Sequence, residues 1–124
     1  MNTETVKEAV DQVRLYLETV PFASRYTSVR YTKRHQQAFY DFQVWNFGLV
    51  YGLGLVVDGS TLEVERDHMV AFYRACKGYD GLIVFCKEGD SFPECRYITL
   101  QDAAKHSNTE GNKVVFPESM LRQF

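Results

Sequence analysis

Cysteine is scarce in this chain, long apolar runs are missing, and the glycine patterns that cradle phosphates are absent. The three cysteines, Cys76, Cys86 and Cys95, are odd in number and show no paired spacing, which makes a poor disulfide framework. Cys76 falls on an expected helix face and Cys86 closes an apolar run, so both read as buried thiols. The most apolar stretch, Phe47 to Val57, has 11 residues, three of them glycine. A membrane helix needs ~20, so no membrane contact is expected. The opening MNTETVKEAV has neither a basic start nor an apolar core and does not read as a secretory signal. A reducing, cytoplasmic compartment is the expectation that follows. Gly48, Gly52 and Gly54 form neither Gly-x-Gly-x-x-Gly nor a Gly-Lys-Ser loop. His35, His68 and His106 are widely spaced, with no second ligand at metal spacing. Cys76 or Cys86 would need a nearby base to act as a nucleophile, and no His stands beside either in sequence. No cofactor is implied.

What is present is an ordinary globular composition. The chain of 124 residues is 45% hydrophobic and 24% charged, which fits one domain over residues 1–124 with a core of its own. The net charge of −2 excludes a wholly basic nucleic-acid binder. Its distribution says more: Thr19 to Tyr40 holds four basic residues (Arg25, Arg30, Lys33, Arg34) and no acid, so the rest of the chain sums to −6. Such asymmetry fits an anionic partner.

Val6, Val10, Val13, Leu17 and Val20 recur at helical spacing and predict an amphipathic helix over about residues 5–20. Thr5 and Glu8 read as its capping box and Pro21 as its end. Tyr26–Thr32 and Phe39–Trp45 have strand chemistry, with polar Lys33–Gln37 joining them. Leu49–Val57 is a further strand, its glycines marking bulges or close backbone approach. Asp58-Gly59 predicts a hairpin from Leu55-Val56-Val57 into Thr61-Leu62-Glu63-Val64; a helix beginning at Ser60 is the competing reading. Asp67 reads as the cap of a second helix bearing Met69, Phe72, Tyr73 and Cys76, stopped by Gly78. Gly81–Cys86 has the continuous apolar character of a central strand, and Arg96–Leu100 is another. A short helix capped by Thr99 or Asp102 runs to His106. Then come a polar loop at 107–113, a short edge at Val114-Val115 and a helical turn from Pro117. The fold class is α+β: a mixed sheet of about five to six strands with the N-terminal helix and a second main helix packed on it.

The stretches FYDFQVWN, TLEVERDHMVAFYRACKGYDGLIVFC, RYITLQDAAKH and KVVFPESMLRQF, between Phe39 and Phe124, together resemble the PD-(D/E)xK nuclease fold, in the style of Holliday-junction resolvases. In that family a strand carrying Glu-x-Lys leads to a helix opening near a His or Gln. A hydrophobic strand follows, then a strand ending in a short helix. An Asp and the Glu bind a divalent metal, and the Lys positions the attacking water. The aligned triplet here is Gln43-Val44-Trp45, with Asp41 the nearest acid. The resemblance thus implies a nuclease scaffold with a degenerate site at Asp41, Gln43 and Trp45.

Three functions remain open. The first is a non-catalytic binding protein holding nucleic acid, or a nucleic-acid-handling protein, through Arg25, Tyr26, Arg30, Tyr31, Lys33, Arg34 and His35. Its cations would hold phosphates and its rings would stack on bases, while an edge strand protected by its own charges gives the same pattern. The second is a metal-dependent nuclease using Asp41, or Asp58 with Glu63 and Glu65, which share a strand face and supply oxygen ligands. The third is a small inhibitor or immunity-type protein docking an aromatic surface on a partner. A homo-oligomer is compatible with each.

Overall fold

The apolar stripe at the start of the chain becomes the helix α1, Thr3–Thr19, in a computed structural model that describes residues 2–19, 27–32, 39–88 and 94–124. Ala9, Val10 and Val13 are fully buried, while Val6 and Leu17 flank them half-buried. The cap is Asn2 rather than Thr5: the Asn2 Oδ1 accepts from the Thr5 N–H at 2.8 Å. Thr5 stands within the first turn of the helix, and its hydroxyl donates to Glu88 Oε1 at 3.2 Å. Pro21 and Lys33–Gln37 lie outside the described residues.

Strands β1 (Thr27–Tyr31), β2 (Phe42–Asn46) and β3 (Leu49–Asp58) form an antiparallel meander. The β2–β3 turn is Phe47-Gly48, both at positive φ, 53° and 76°, the twist that two-residue hairpins favour. Opposite Val44 and Trp45 the register shifts, and Tyr51 is the extra residue of that bulge. Gly54 permits a close approach: a Cβ there would lie 1.8 Å from the Phe42 ring.

The chain then leaves the sheet. β4 (Glu63–Glu65) does not fold back on β3, so the expected Asp58-Gly59 hairpin does not form. Asp58 instead closes a local turn, its Oδ1 accepting from the Ser60 N–H at 3.0 Å, and the Gly59 N–H donates to the Cys86 carbonyl. The Asp-Gly signal was a turn signal, and β3 already has both neighbours. Helix α2 (Arg66–Ala75) follows, with Glu65 at its N-cap and Asp67 inside its first turn, so Asp67 is not the cap. It carries the chain over the sheet to β5 (Asp80–Lys87), which pairs parallel with β3. β6 (Glu94–Thr99) returns antiparallel to β5. Helix α3 (Leu100–His106) opens with Thr99 Oγ1 accepting from the Asp102 N–H at 3.2 Å, as the sequence predicts.

The segment expected as a polar loop contains β7 (Asn108–Glu110), and Val114 lies in β8 (Lys113–Val115). β8 is the middle strand of a small sheet ordered β4-β8-β7, not an edge. The helical turn after Pro117 is one 3-10 turn, Glu118–Met120, and the chain ends in β9, Arg122–Gln123. The main sheet is six-stranded and mixed, ordered β1-β2-β3-β5-β6-β9. One face packs on α1 through Val29, Phe42, Val44, Val56 and Val84. The other packs on α2, α3 and the small sheet through Leu55, Phe72, Ile83, Phe85 and Phe116. The α+β class expected from the sequence is the observed one.

Cys86 and Cys95 stand directly opposite one another in β5 and β6 and form a disulfide. The expectation of a buried Cys86 thiol is thereby overturned, because antiparallel register brings together cysteines that linear spacing does not pair. The cysteine argument for a reducing compartment falls with it. Cys76 alone is free, and burial pushes its thiol up to about 11. The Cys86–Cys95 bond closes a loop of sequence separation 9. On chain-entropy grounds its loss should cost about 2.5 kcal/mol, lowering the melting temperature by roughly 10 °C. Thermal unfolding of Cys86→Ser with Cys95→Ser, beside the wild type with and without dithiothreitol, measures this; three curves that coincide would contradict it.

Candidate nucleic-acid interface

β1 is an edge strand, and α1 covers its open side. The Arg14 Nε donates to the Val29 carbonyl at 3.1 Å, and the Val29 N–H donates to Glu18 Oε1 at 3.0 Å. Two backbone groups that would otherwise template another strand are thus occupied by helix side chains. This anchoring fixes which way the strand's residues face. Val29 is buried and Tyr31 half-buried against α1, where Lys7 Nζ lies 5.6 Å from the Tyr31 ring centroid. Arg30 points the other way and is exposed. The alternating Arg-Tyr stretch is therefore divided by the sheet, and Tyr31 is not on the Arg30 face. Arg25, Tyr26, Lys33, Arg34 and His35 lie outside the described residues.

On that outer face the guanidinium of Arg30 stacks over the Trp45 ring, 4.0 Å from its centroid. Arg30 pairs with Gln43 and Trp45 with Ser28, so Arg30 and Trp45 are diagonal neighbours across the two strands. The indole N–H donates to Gln43 Oε1 at 3.0 Å, and Gln43 Nε2 donates to the Tyr40 hydroxyl at 3.3 Å. Gln43 thus ties the Trp45 indole, over which Arg30 lies, to Tyr40. At the end of the same hairpin Phe47 and Leu49 are 67% and 71% exposed. Phe47 holds a backbone conformation that bulky residues rarely adopt. In sequence Phe47 reads only as the start of an apolar run; the Asn-Phe-Gly order is the signal that it sits in a turn.

Asp41 is buried, on the opposite side of the hairpin's base, and works as backbone would. Its Oδ2 accepts from the Val56 N–H at 2.7 Å, its N–H donates to the Gly54 carbonyl at 2.7 Å, and its carbonyl accepts from the Thr32 N–H at 2.8 Å. It borders a cleft of about 390 Å³ with Asp58, Glu63, Glu65, His68 and Tyr31. The carboxylates singled out in the sequence are therefore neighbours. Yet Glu63 is ion-paired to Lys113 at 3.2 Å. The Ser60 backbone N–H, followed by its hydroxyl, holds Asp58 below the ordinary carboxylate range. Among the described residues no group of three or more His, Cys, Asp or Glu side chains is arranged to hold a metal ion. No helix among them is long and apolar enough to cross a membrane. No protein-family model and no curated protein matches the chain.

Proposed function

We propose that this is a non-catalytic binding protein on a nuclease-like scaffold, and that its ligand is nucleic acid held by the Arg30–Trp45 face. The observation that carries this reading is the stacked pair itself. A guanidinium held over an indole at 4.0 Å and left exposed offers a phosphate-binding cation beside an aromatic surface, the combination that holds a phosphodiester backbone and its bases. The scaffold reading draws support from element order: a strand bearing the triplet Gln43-Val44-Trp45, then, after β3 and β4, a helix with His68 in its first turn, an apolar strand, and β6 running into α3. The non-catalytic reading rests on chemistry. Gln43 is neutral, Trp45 supplies no cation for water, and an Asp41 oxygen is engaged by a backbone N–H.

The expected result is binding without cleavage. DNA and RNA should stay intact with Mg²⁺ or Mn²⁺, and binding should persist in EDTA, with Mg²⁺ weakening it only as a competing counterion. Metal-dependent cleavage lost on Asp41→Ala, or on Glu63→Ala with Glu65→Ala, would promote the nuclease reading instead. The apolar hairpin tip at Phe47 and Leu49 favours one second reading, a protein partner of the inhibitor or immunity kind. An acidic protein ligand would then bind and short oligonucleotides would not compete with it.

A further inference from the structure

A second cleft, of about 1040 Å³, opens at the end of the main sheet where β5 begins, between the α2–β5 turn and α3. It is as large as the sites that take drug-sized ligands, roughly 300–1,000 Å³. Three tyrosines line it, Tyr51, Tyr73 and Tyr79, with 46%, 62% and 44% of their surface exposed. Arg74, Lys77 and Lys105 line it too, against the single carboxylate of Asp80. None of the three cations makes an ion pair among the described residues. Gly78, at φ +85°, has open space where a side chain would stand, so a ligand can approach the backbone between Lys77 and Tyr79. Burial, then the Asp80 charge, raises the Tyr51 phenol above its ordinary value.

Exposed rings alternating with unpaired cations suit a ligand that alternates flat bases with phosphates. Position gives the second argument. Tyr51 is the bulge residue between Val50, the partner of Trp45, and Gly52, the partner of Val44. The cleft therefore starts one residue from the strand position that faces Trp45. We infer that the cleft binds two or three nucleotides of a single strand, continuing the track that begins at Arg30 and Trp45. This rests on the reading of that face given above. Bases must be unstacked to reach the tyrosines, so single strands bind in preference to duplex.

Fluorescence anisotropy with labelled oligothymidylate and oligouridylate, about eight nucleotides long, and a duplex of the same length tests this. Wild type should bind the single strands more tightly than the duplex, and oligodeoxyuridylate beside oligouridylate shows whether the sugar matters. Lys77→Ala with Lys105→Ala should flatten the log–log salt dependence by about 1.4, at ~0.7 for each phosphate contact on a single strand. Tyr79→Ala should weaken binding about ten- to a hundredfold with little change in slope, and Tyr79→Phe should restore it. Melting curves confirm that each variant is folded. If the cleft variants bind like wild type while Arg30→Ala and Trp45→Ala lose affinity, the cleft inference is overturned and the proposed interface survives. If the cleft variants lose affinity and the Arg30 and Trp45 variants do not, the interface is wrong and the cleft is right. Wild type that binds duplex as well as single strands, or binds neither, overturns the inference.

Discussion

Val13→Asp should bring the melting temperature down by roughly 15 °C or leave the chain unfolded at 37 °C. Val13 is fully buried between α1 and the sheet, against Val29, Phe42 and Val44. An ionised carboxylate placed there finds no water and no cation, and burial of an uncompensated charge costs on the order of 3–5 kcal/mol. At this chain length each kilocalorie lowers the midpoint by about 4 °C. Leu15→Asp is the control. It sits on the same helix but is 67% exposed, so its cost should stay below about 1 kcal/mol, mostly helix propensity. Thermal unfolding of both variants checks the pair. Equal midpoints would mean that α1 is not seated as described.

Gly54→Ala should be nearly as damaging, for a steric rather than an electrostatic reason. The added methyl would stand 1.8 Å from the Phe42 ring, and Phe42 is fully buried under α1 with no room to swing aside. Overpacking of this kind costs about 3 kcal/mol or more. Phe42→Leu removes the ring edge that the methyl strikes. The double variant should therefore be at least 1 kcal/mol more stable than the sum of the two single losses, roughly the coupling that contacting residues show. Additive losses in denaturant titrations would show that ring and methyl do not meet.

These two positions differ in how far the sequence discloses them. Val13 is legible because helical spacing is a property of a continuous segment: the stripe from Val6 to Leu17 predicts both the helix and its buried face. Gly54 is legible only as a hint of close approach, since the ring it admits belongs to another strand. The same divide runs through the rest of the chain. The apolar run at Gly81–Cys86 and the Thr99 cap are local and emerge as expected. Strand pairing is not local. Nothing near Asp58-Gly59 discloses that β3 already has β2 and β5 as neighbours, which sends β4 to β8. Cys86 and Cys95 become partners only through the β5–β6 register.

The candidate site follows the same logic. The sequence singles out Arg30, Gln43 and Trp45, but in two unrelated connections, a basic stretch and a degenerate triplet. The β1–β2 register joins them on one face, while the strand's own alternation, legible in the sequence, puts Tyr31 with Val29 on the other. Asp41, Asp58, Glu63 and Glu65 do meet at one cleft, although a backbone N–H engages Asp41 and a lysine engages Glu63. The tyrosines of the larger cleft come from β3, α2 and the turn after it. Tyr73 is legible only as a residue of a helix face.

The most direct test of the Arg30–Trp45 interface is a salt titration of nucleic-acid affinity, starting at ~50 mM salt, for wild type, Arg30→Ala and Trp45→Ala. Wild-type affinity should fall steeply with salt. Arg30→Ala should flatten the log–log slope by about 0.7 for a single strand or about 0.9 for duplex. Trp45→Ala should lose affinity by an amount equivalent to about 1–3 kcal/mol with the slope nearly unchanged. Absence of binding to duplex, branched and single-stranded nucleic acid at that lowest salt, with the fold intact, would contradict the account.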